Sequence, residues 1–510
     1  MRTASLVAAG AIILGSVAVW VYHAAGLTLS HYDAKAHLVV ARRVLDSLTP
    51  GWRQLGAVWL PLPHLLNLLP VQIDTFYRTG ASGVAISVLS FGLLAYACAR
   101  VILRLTDSSP AAVAGTLIVV LNPDLLYLQA TPMTEPLLLA LTMLAVALLV
   151  EWVDDQTRST RRNTGLAFAA ACLTRYEAWP VTAAALVIAT LALWRKGLAP
   201  HVAVRRVAVL AAYPLVAVLA FLVQSRLTVG HWFVTGGFYV VDNPDMGRPL
   251  KTIGSIWWAS HHLNGYGVLL TAVAGAAVIA VTGLMIPARA ATLIVLALGA
   301  TAALPWYAFV IGHPFRIRYM IPLVPAVAVW AGVAAGRMGR YRTVAAVALV
   351  ALVLIETRPF DPAAPMIAEA QLDREHGRER EAVTEYLARH RHGEKLLVSL
   401  GSLSHYVQEL SSAGLRIRDV IHEGNGDLWA AALRHPETHV GWILVEELSE
   451  GGDQLSKRAK ADPSFLTGFA RVAEGGGVGL YRRQEPEFRS ETRESRIQNR
   501  QPGGEQRTLR

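Results

Sequence analysis

Length, composition and charge already narrow the class of protein. The chain has 510 residues, of which 53% are hydrophobic and 16% are charged, and its formal net charge is +10. Its apolar residues fall in long blocks without a helical or strand period, which excludes an ordinary soluble domain and predicts a polytopic membrane protein. The basic residues lie largely between these blocks, where membrane proteins keep the charges that set topology, so the net charge requires no nucleic-acid partner. Cys98 and Cys172, the only cysteines, lie in apolar runs and predict neither a disulfide framework nor a Cys metal site.

The apolar blocks predict a mainly α fold with about eleven transmembrane helices, since a span needs about 20 apolar residues. The first block, 4–24, follows Arg2 and fits a cleavable signal peptide or an uncleaved signal-anchor, and the many later spans favour the anchor. The later blocks cover residues 81–103, 111–128, 136–150, 165–179, 180–194, 207–223, 265–285, 291–311, 320–335 and 343–355.

The charges between the spans predict the topology. Every connection on one side is short and basic, which the positive-inside rule assigns to the cytoplasm. We therefore expect a multi-pass protein of the cytoplasmic (inner) membrane with its N-terminus inside and its C-terminus outside. The basic residues of these connections are Arg104, Arg158, Arg161, Arg162, Arg195, Lys196, Arg205, Arg206, Arg289, Arg337, Arg340 and Arg342.

Residues 165–194 predict a helical hairpin and not one long helix. Arg175, Tyr176 and Glu177 lie in the middle of this run, followed by Pro180. Two charges at the centre of a lipid-facing helix would be costly, and proline lacks a backbone donor. A hairpin tip that faces a polar cavity near the outer surface removes both problems.

The composition changes after residue 357. Strand-like runs at 395–400, 415–421, 439–446 and 478–483 alternate with helical patterns at 369–390 and 427–434. This alternation predicts a soluble α/β domain over residues 358–483, on the extracytoplasmic (periplasmic) side. Residues 484–510 contain almost no apolar side chain and predict a disordered tail.

The first outer segment, residues 26–80, carries more titratable side chains than a simple connection needs, and Asp33 is its main candidate residue. The run after Asp33 predicts an amphipathic helix that lies on the outer leaflet and ends near Pro50 and Gly51. Such a helix would hold Asp33 at the membrane surface. There Asp33 could act as a catalyst or merely cap the helix, and the local residues favour neither role. The proposed apolar stripe consists of His37, Val40, Ala41, Val44, Leu45 and Leu48.

Glu135 is the second candidate acid. Thr131 and Pro132 have the pattern of a helix start, so Glu135 is expected about one turn inside the outer end of its span. An acid favoured by the helix dipole is the plainer interpretation. However, an unbroken apolar run follows Glu135, so the acid should need a partner such as Arg175 or a histidine of the first loop.

Basic residues on the outer side are candidate ligands for a phosphate. Arg316 and Arg318 stand at the outer mouth of a span, against the positive-inside trend, and Arg175 lies in the hairpin tip. Arginine binds phosphate through paired hydrogen bonds, although contact with lipid headgroups is the commoner role of a single arginine there. His261 and His262 lack a spaced carboxylate, so interfacial packing is favoured over metal binding.

In their order and topology these motifs resemble the GT-C superfamily of polytopic glycosyltransferases, in particular the protein O-mannosyltransferase and aminoarabinose transferase type. The resemblance covers about residues 1–357. It rests on HYDAKAHL with Asp33, TPMTEP with Glu135, LTRYEAWP with Arg175 and Glu177, and RIRYMIPLVP with Arg318. The sequence departs from many relatives in having a single acid, Asp33, where they show a pair.

The resemblance implies a GT-C-like transmembrane catalytic domain over residues 1–357. It would transfer a sugar, for example a hexose such as mannose, from a polyprenyl-phosphate donor to an acceptor glycan, lipid or protein on the outer face. Asp33 would take the acceptor proton, Glu135 would orient the acceptor or a metal, and direct displacement would invert the anomeric configuration. A divalent ion, Mg²⁺ or Mn²⁺, is a candidate cofactor, and membrane lipids are expected partners.

The remaining site residues follow from the same resemblance and from their charge. Arg316, Arg318 and Arg175 are expected at the donor phosphate. Tyr32, His37 and Glu177 are expected to support the acceptor.

Two other classes of protein stay open. A lipid or solute transporter would place charges and broken helices near the midplane, with repeated halves, and no repeat is visible in the sequence. A non-catalytic membrane assembly factor would use the outer α/β domain to bind a partner.

Overall fold

The computed structural model describes residues 2–234, 243–448 and 452–484. The predicted disordered tail lies outside the described residues from position 485 onward. The first part of the chain is a bundle of helices joined by short turns and 3-10 segments, of which Pro287–Ala302 and Ile317–Leu323 continue into helices. The helices are α1 (Arg2–Ala24), α2 (Tyr32–Arg42), α3 (Leu62–Asn67), α4 (Asp74–Thr79), α5 (Ala81–Thr106), α6 (Ser109–Val120), α7 (Pro123–Leu128), α8 (Glu135–Asp155), α9 (Arg158–Cys172), α10 (Ala178–Arg195), α11 (Pro200–Val229), α12 (Pro249–Asn264), α13 (Tyr266–Met285), α14 (Ala303–Val310), α15 (Val324–Gly336) and α16 (Arg342–Glu356).

Eight helices in the described part of the chain are long and apolar enough to cross a membrane. They are α1, α5, α8, α10, α11, α13, the segment Pro287–Val310 and the segment Ile317–Gly336. The chain is therefore a multi-pass membrane protein with a mainly α fold, as predicted. The other three predicted spans coincide with the shorter helices α6, α9 and α16, of 12, 15 and 15 residues. The total of eleven spans stays a prediction.

Residues 165–194 form two helices, as the buried charges predicted. The break lies earlier than expected: α9 ends at Cys172 and α10 begins at Ala178, so Arg175 and Glu177 occupy the connection itself. Pro180 is not the breaker. It lies in the first turn of α10, where the missing backbone donor leaves no hydrogen bond unmade.

A second predicted span, 111–128, is broken into α6 and α7 at Asn122. The Asn122 side chain accepts a hydrogen bond from the Leu125 backbone, and Pro123 begins α7. Asn is a favoured N-cap and proline is favoured at the first helical position, so these two residues start a new helix inside an apolar run.

Two close helix crossings depend on glycine. A Cβ at Gly275 of α13 would overlap the backbone carbonyl of Trp330 in α15. A Cβ at Gly115 of α6 would lie 2.8 Å from the Ala328 carbonyl oxygen and 2.9 Å from the Gly332 Cα, both in α15. Small residues allow membrane helices to approach closely where no hydrophobic effect drives them together. α15 therefore packs closely against both α13 and α6, because the glycines at the two crossings have no side chain.

The basic connections lie at one end of the bundle. Asp154, at the end of α8, pairs with Arg104 of α5 and with Lys196, which follows α10, each at 2.5 Å. The other ends of the same helices carry the first loop and the hairpin tip. The bundle thus separates a basic end from the end that holds the candidate site residues.

The chain after α16 forms a mixed sheet with helices on both faces. The sheet order is β2-β1-β3-β5-β4, in which β1 is parallel to β2 and β3, whereas β5 is antiparallel to β3 and β4. The boundaries predicted for this domain stay a prediction. The strands are β1 (Leu396–Val398), β2 (Val420–Ile421), β3 (Trp442–Glu446), β4 (Phe469–Gly475) and β5 (Val478–Arg483), and the helices are α17 (Pro365–Glu379), α18 (Glu381–His390), α19 (Leu400–Glu409), α20 (Asp427–Arg434), α21 (Pro436–His439) and α22 (Gln454–Ala461).

The strand predictions for this region are largely right. Three predicted runs contain β1, β3 and β5, but only the last two residues of the run 415–421 form a strand, because Ile417–Asp419 forms a 3-10 turn. No sequence pattern predicted β4, whose small and charged residues are mostly half-buried. The helical pattern 427–434 coincides with α20, and the pattern 369–390 is two helices.

The predicted surface helix of the first loop is wrong in length and in surroundings. α2 ends at Arg42, not near Leu48, and its residues from Ala34 to Arg42 are all buried. Leu38 and Val39 share one apolar cluster with Val398 and Tyr406 of the sheet domain. An amphipathic pattern shows that a helix has two different faces, and here a second domain covers the polar one.

Ion pairs join α2 and the residues after it to the sheet domain. Lys35 lies 2.5 Å from Glu409 of α19, which Arg380 also contacts at 2.7 Å. Asp46 accepts a 2.7 Å hydrogen bond from Arg418. The sheet domain therefore neutralises Lys35 and helps to neutralise Asp46, two residues of the face predicted to contact water, and α2 lies between the bundle and the sheet domain.

Candidate active site

Five charged side chains from four separate parts of the chain form an alternating row, called here the charge chain. Its members, in spatial order, are Asp33, Arg318, Glu135, Arg175 and Glu177. Consecutive members lie 2.6, 3.7, 3.1 and 2.8 Å apart, measured between the nearest charged atoms. Each of these residues was predicted separately from the sequence as a site residue, and the fold brings all five together.

Asp33 occupies the first turn of α2. The cap of this helix is His31, whose Nδ1 accepts a 3.1 Å hydrogen bond from the Asp33 backbone N–H, so Asp33 itself is not the N-cap. Its carboxylate is thereby free to pair, and Oδ2 accepts a 2.6 Å hydrogen bond from Arg318 Nη2. The plainer interpretation of Asp33 as a helix cap is therefore wrong.

The pair with Arg318 sets the charge state of Asp33. Burial alone would raise the pKa of the Asp33 carboxyl, but the Arg318 charge, helped by His31, outweighs it and lowers that pKa to about 2. Arg318 is itself buried in the 3-10 segment that leads into α15, with Nη1 3.0 Å from His31 Nε2. Asp33 is consequently ionised at neutral pH and is a weak base while it remains in this pair.

Glu135 lies at the centre of the charge chain. It is the first residue of α8, not one turn inside it, because the cap position falls at Thr134 and not at Thr131. Its side chain is 1% exposed, and Oε1 lies between Arg175 and Arg318. Neither carboxylate oxygen has a hydrogen-bond partner of good geometry among the described residues. Two guanidinium groups thus neutralise a carboxylate that retains free acceptor capacity.

The hairpin tip supplies the rest of the charge chain. Arg175 donates to Glu177 at 2.8 Å and to the hydroxyl of Thr134 at 3.1 Å, in addition to its pair with Glu135. Glu177 is also buried. This connection explains the two charges that the sequence placed in an apolar run, since each of them is paired inside the protein.

The C-terminal part of the chain adds acids that the sequence did not single out. Glu369 of α17 lies 3.8 Å from His31 Nε2 and 3.6 Å from Arg316. Asp373, one turn further, accepts a hydrogen bond from the Tyr32 backbone N–H. Both acids occur in a polar helical stretch without any motif, so no local signal distinguishes them from solvent-facing residues.

Other predicted site residues lie beside the charge chain. Arg316 is close to half exposed and forms an ion pair with Glu369, which is not a member of the charge chain. The ring of Tyr32 stacks on His31, with centroids 4.7 Å apart. His37, one turn after Asp33, turns to Trp59 and His64. His261 and His262 lie in the last turn of α12, where His261 stacks on Tyr266 and His262 packs against Trp258, which supports the packing interpretation of these histidines.

The charge chain does not provide a suitable set of ligands for a divalent metal ion. Each of its carboxylates contacts a guanidinium group, and a divalent cation beside Glu135 would face two like charges. Among the described residues, no group of three His, Cys, Asp or Glu side chains has the arrangement of a metal site. The predicted Mg²⁺ or Mn²⁺ therefore stays a prediction, and no step below requires it.

An apolar cleft begins next to Glu177. It lies between α8, α10, the segment Pro287–Ala302 and the start of α15, and apart from Glu177 and two threonines its walls are apolar. Leu138, Met143 and Val181 are among them. The charge chain thus has an apolar neighbour on the side of the membrane core.

The bundle, the charge chain at one end of it and the covering sheet domain define a polytopic membrane protein of the GT-C fold. Two solved structures of ArnT from Cupriavidus metallidurans share this fold. The structure bound to undecaprenyl phosphate has a TM-score of 0.55 and 15% identity, and the structure in the apo state has 0.53 and 14%. Each match covers 93% of this chain and 97% of that chain.

The comparison confirms the GT-C resemblance at the level of the fold, and at this identity it establishes the fold alone. The match extends over the sheet domain as well as the bundle, because it covers almost the whole of both chains. Neither a protein-family model nor a curated protein matches the sequence.

Proposed function

We propose that this protein is a membrane glycosyltransferase that transfers a sugar from a polyprenyl-phosphate donor to an acceptor on the outer face of the inner membrane. The charge chain carries the proposal, because it combines ionised acids and buried arginines beside an apolar cleft. A lipid-linked donor needs both features: a positive group for the phosphate and an apolar surface for the chain. The similar ArnT structure was determined with undecaprenyl phosphate, which supports the same class of ligand.

The donor phosphate would bind at Arg318, with Arg316 and Arg175 as neighbouring guanidinium groups. The charge chain contains three carboxylates and two guanidinium groups, so its cations are already more than neutralised. An incoming phosphate must therefore displace a carboxylate, not add to an unpaired cation. Asp33 is the most accessible candidate for exchange, since its side chain is 14% exposed and that of Glu135 only 1%.

This exchange would prepare Asp33 as the catalytic base. Once Arg318 binds phosphate, Asp33 loses the charge that lowers its pKa, whereas its burial still raises that pKa. The freed carboxylate could then take the proton of an acceptor hydroxyl that attacks the anomeric carbon. The bond from that carbon to the phosphate oxygen breaks, and the arginines stabilise the departing lipid phosphate. A single displacement of this kind inverts the anomeric configuration.

The other predicted site residues have supporting roles in this proposal. Glu135 would hold Arg175 and Arg318 in place and orient the acceptor with its free oxygens, and Tyr32, His37 and Glu177 would line the acceptor side. We take the sugar to be a hexose such as mannose.

Asp33→Asn tests the proposal. We expect turnover of a panel of labelled polyprenyl-phosphate sugars to fall by about 10²-fold or more, because the amide cannot act as a base. Binding of polyprenyl phosphate should be unchanged or tighter, since the competitor of the phosphate at Arg318 has lost its charge. Asp154→Asn, at the basic end of the bundle, is the matched control and should keep wild-type turnover.

Two outcomes would contradict the proposal. Wild-type turnover by Asp33→Asn would remove Asp33 from the base role. If the wild-type protein in nanodiscs transfers no sugar from any polyprenyl-phosphate donor to any hydroxyl acceptor tried, the proposed enzymatic activity is excluded. The role as a membrane assembly factor then remains.

A further inference from the structure

A small pocket adjoins the charge chain but contains none of its members. It lies between the first loop and the helices α5 and α8, and its polar walls are His37, His64, Asn67 and Thr134. Apolar side chains such as Ile86 and Leu137 form the rest. Thr134 accepts a hydrogen bond from Arg175, so pocket and charge chain share one wall.

A relay of hydrogen bonds fixes the proton positions of the two histidines. His64 Nδ1 lies 3.1 Å from the Leu60 carbonyl oxygen, which can only accept, so this nitrogen carries the proton. His64 Nε2 is then the acceptor for His37 Nδ1, which lies 3.1 Å away and must donate. In neutral His37 the remaining nitrogen, Nε2, is consequently a bare acceptor.

Both rings are kept neutral by their surroundings. Burial lowers the pKa of His37 to about 3 and lowers the pKa of His64 well below its usual value. Trp59 packs against His37 with ring centroids 4.2 Å apart and holds the imidazole in this orientation. The acceptor at His37 Nε2 is therefore a fixed feature of the pocket.

Two acceptors of the pocket lack a donor. His37 is 5% exposed and Asn67 is 6% exposed. His37 Nε2 and Asn67 Oδ1 are buried polar atoms without a hydrogen-bond partner. A buried acceptor left unpaired costs about 1–3 kcal/mol, so two at one pocket indicate a missing group that donates hydrogen bonds.

The structure assigns this pocket, we propose, to one hydroxyl group of a sugar, which donates to His37 or Asn67 while its ring lies toward the charge chain. The inference rests on the proposed function and extends it to specificity. The pocket has room for a substituent and not for a whole sugar ring, and its acceptors match a hydroxyl group rather than an acid. The hydroxyl could belong to the transferred sugar or to the acceptor, and both sources offer the same chemistry.

The test combines removal of one hydroxyl group from the ligand with removal of one polar side chain from the pocket. The probe is whichever polyprenyl-phosphate hexose, among mannose, glucose and galactose, the wild-type enzyme turns over fastest, together with its monodeoxy analogues. We expect wild type to reject one analogue by about 10- to 100-fold in kcat/KM, and Asn67→Leu or His37→Phe to lose that preference. Ser82→Ala, which removes a buried hydroxyl near the pocket but not in its wall, is the control and should keep it.

The readouts separate the two sources and the two proposals. A change in donor discrimination places the transferred sugar in the pocket, and a change confined to deoxy acceptors places the acceptor there. Unchanged discrimination with both kinds of ligand, or a water that stays on His37 and Asn67 with substrate bound, overturns the pocket assignment while the proposed function stands. Absence of any turnover by wild type overturns both. If His37→Phe fails to fold, Asn67→Leu alone decides.

Discussion

At the scale of single residues, Glu135 determines how the charge chain is held together. Its carboxylate is buried between the guanidinium groups of Arg175 and Arg318 and joins the Asp33–Arg318 pair to the Arg175–Glu177 pair. Breaking a buried ionic interaction costs far more than breaking an exposed one.

Glu135→Gln keeps the shape of the side chain and removes its charge. We expect the free energy of unfolding to fall by about 3 kcal/mol, because Arg175 and Arg318 each keep only one carboxylate partner and their like charges then face each other across a neutral amide in a buried site. The control Glu151→Gln breaks a pair with Arg100 in which both side chains are about a quarter exposed, and its effect should stay within about 1 kcal/mol. Thermal unfolding in one detergent ranks the two, and a Glu135→Gln protein as stable as Glu151→Gln would contradict the assignment.

The sequence allowed candidate site residues to be proposed where a charged residue lies next to an apolar run. Asp33, Glu135, Arg175 and Arg318 could each be proposed because a charged residue beside a membrane span has few structural reasons to be there. Glu369 could not be proposed in this way, because it lies in a polar helix where acids are ordinary. The pairing of Asp33 with Arg318 joins positions 285 residues apart, and no local pattern carries that information.

At the scale of elements, α13 and α15 form one of the closest helix contacts in the bundle. Gly275 lies directly over the Trp330 carbonyl, where even a methyl group would force the helices apart. The apolar blocks predicted both helices, but not this crossing, since a glycine in an apolar run gives no sign of which neighbour it meets.

Gly275→Ala is expected to destabilise the protein by about 1–3 kcal/mol or more, the usual range for overpacking. Gly10→Ala in α1 is the matched control, because a Cβ there meets nothing within 4 Å, and alanine is the better helix former. Unfolding midpoints in detergent, measured on both variants, should move in opposite directions or at least differ clearly. Equal midpoints would mean that the crossing is looser than described.

Helix α2 shows where the prediction from sequence was wrong. An amphipathic run after Asp33 predicted a helix at the membrane surface, but α2 is enclosed on both sides. Of the predicted apolar stripe, His37, Val40 and Ala41 lie on α2 and are buried, whereas the residues from Val44 onward follow the end of the helix. The surroundings of the polar face depended on Glu409 and Arg418, which lie more than 360 residues further along the chain. The periodicity of a sequence shows which residues share a face of a helix. It does not show whether water or another domain contacts that face.

At the scale of the whole molecule, the basic end and the charge chain lie at opposite ends of the bundle. The positive-inside rule predicts that the charge chain and the sheet domain lie on the outer side. Both native cysteines are fully buried, with Cys98 at 0% and Cys172 at 1% exposure, so introduced cysteines can report the sidedness.

Ser402→Cys in the sheet domain should react with a membrane-impermeant maleimide in intact spheroplasts. Ser159→Cys, in the first turn of α9 at the basic end, should react only after the membrane is permeabilised. Both positions are exposed in the structure, so a difference in labelling reports sidedness and not burial. The reverse pattern would invert the topology and place the charge chain in the cytoplasm.

The enclosure of α2 has a consequence for the order in which the protein matures. Lys35 and Glu409 are separated by 374 positions, so during synthesis Lys35 lacks this partner until 374 further residues have been added. Contacts of such long range form late, since the loop between them must close first. The loop that bears Asp33 therefore reaches its final environment only when the last domain has folded against it. Maturation of the charge chain is in this way tied to folding of the sheet domain.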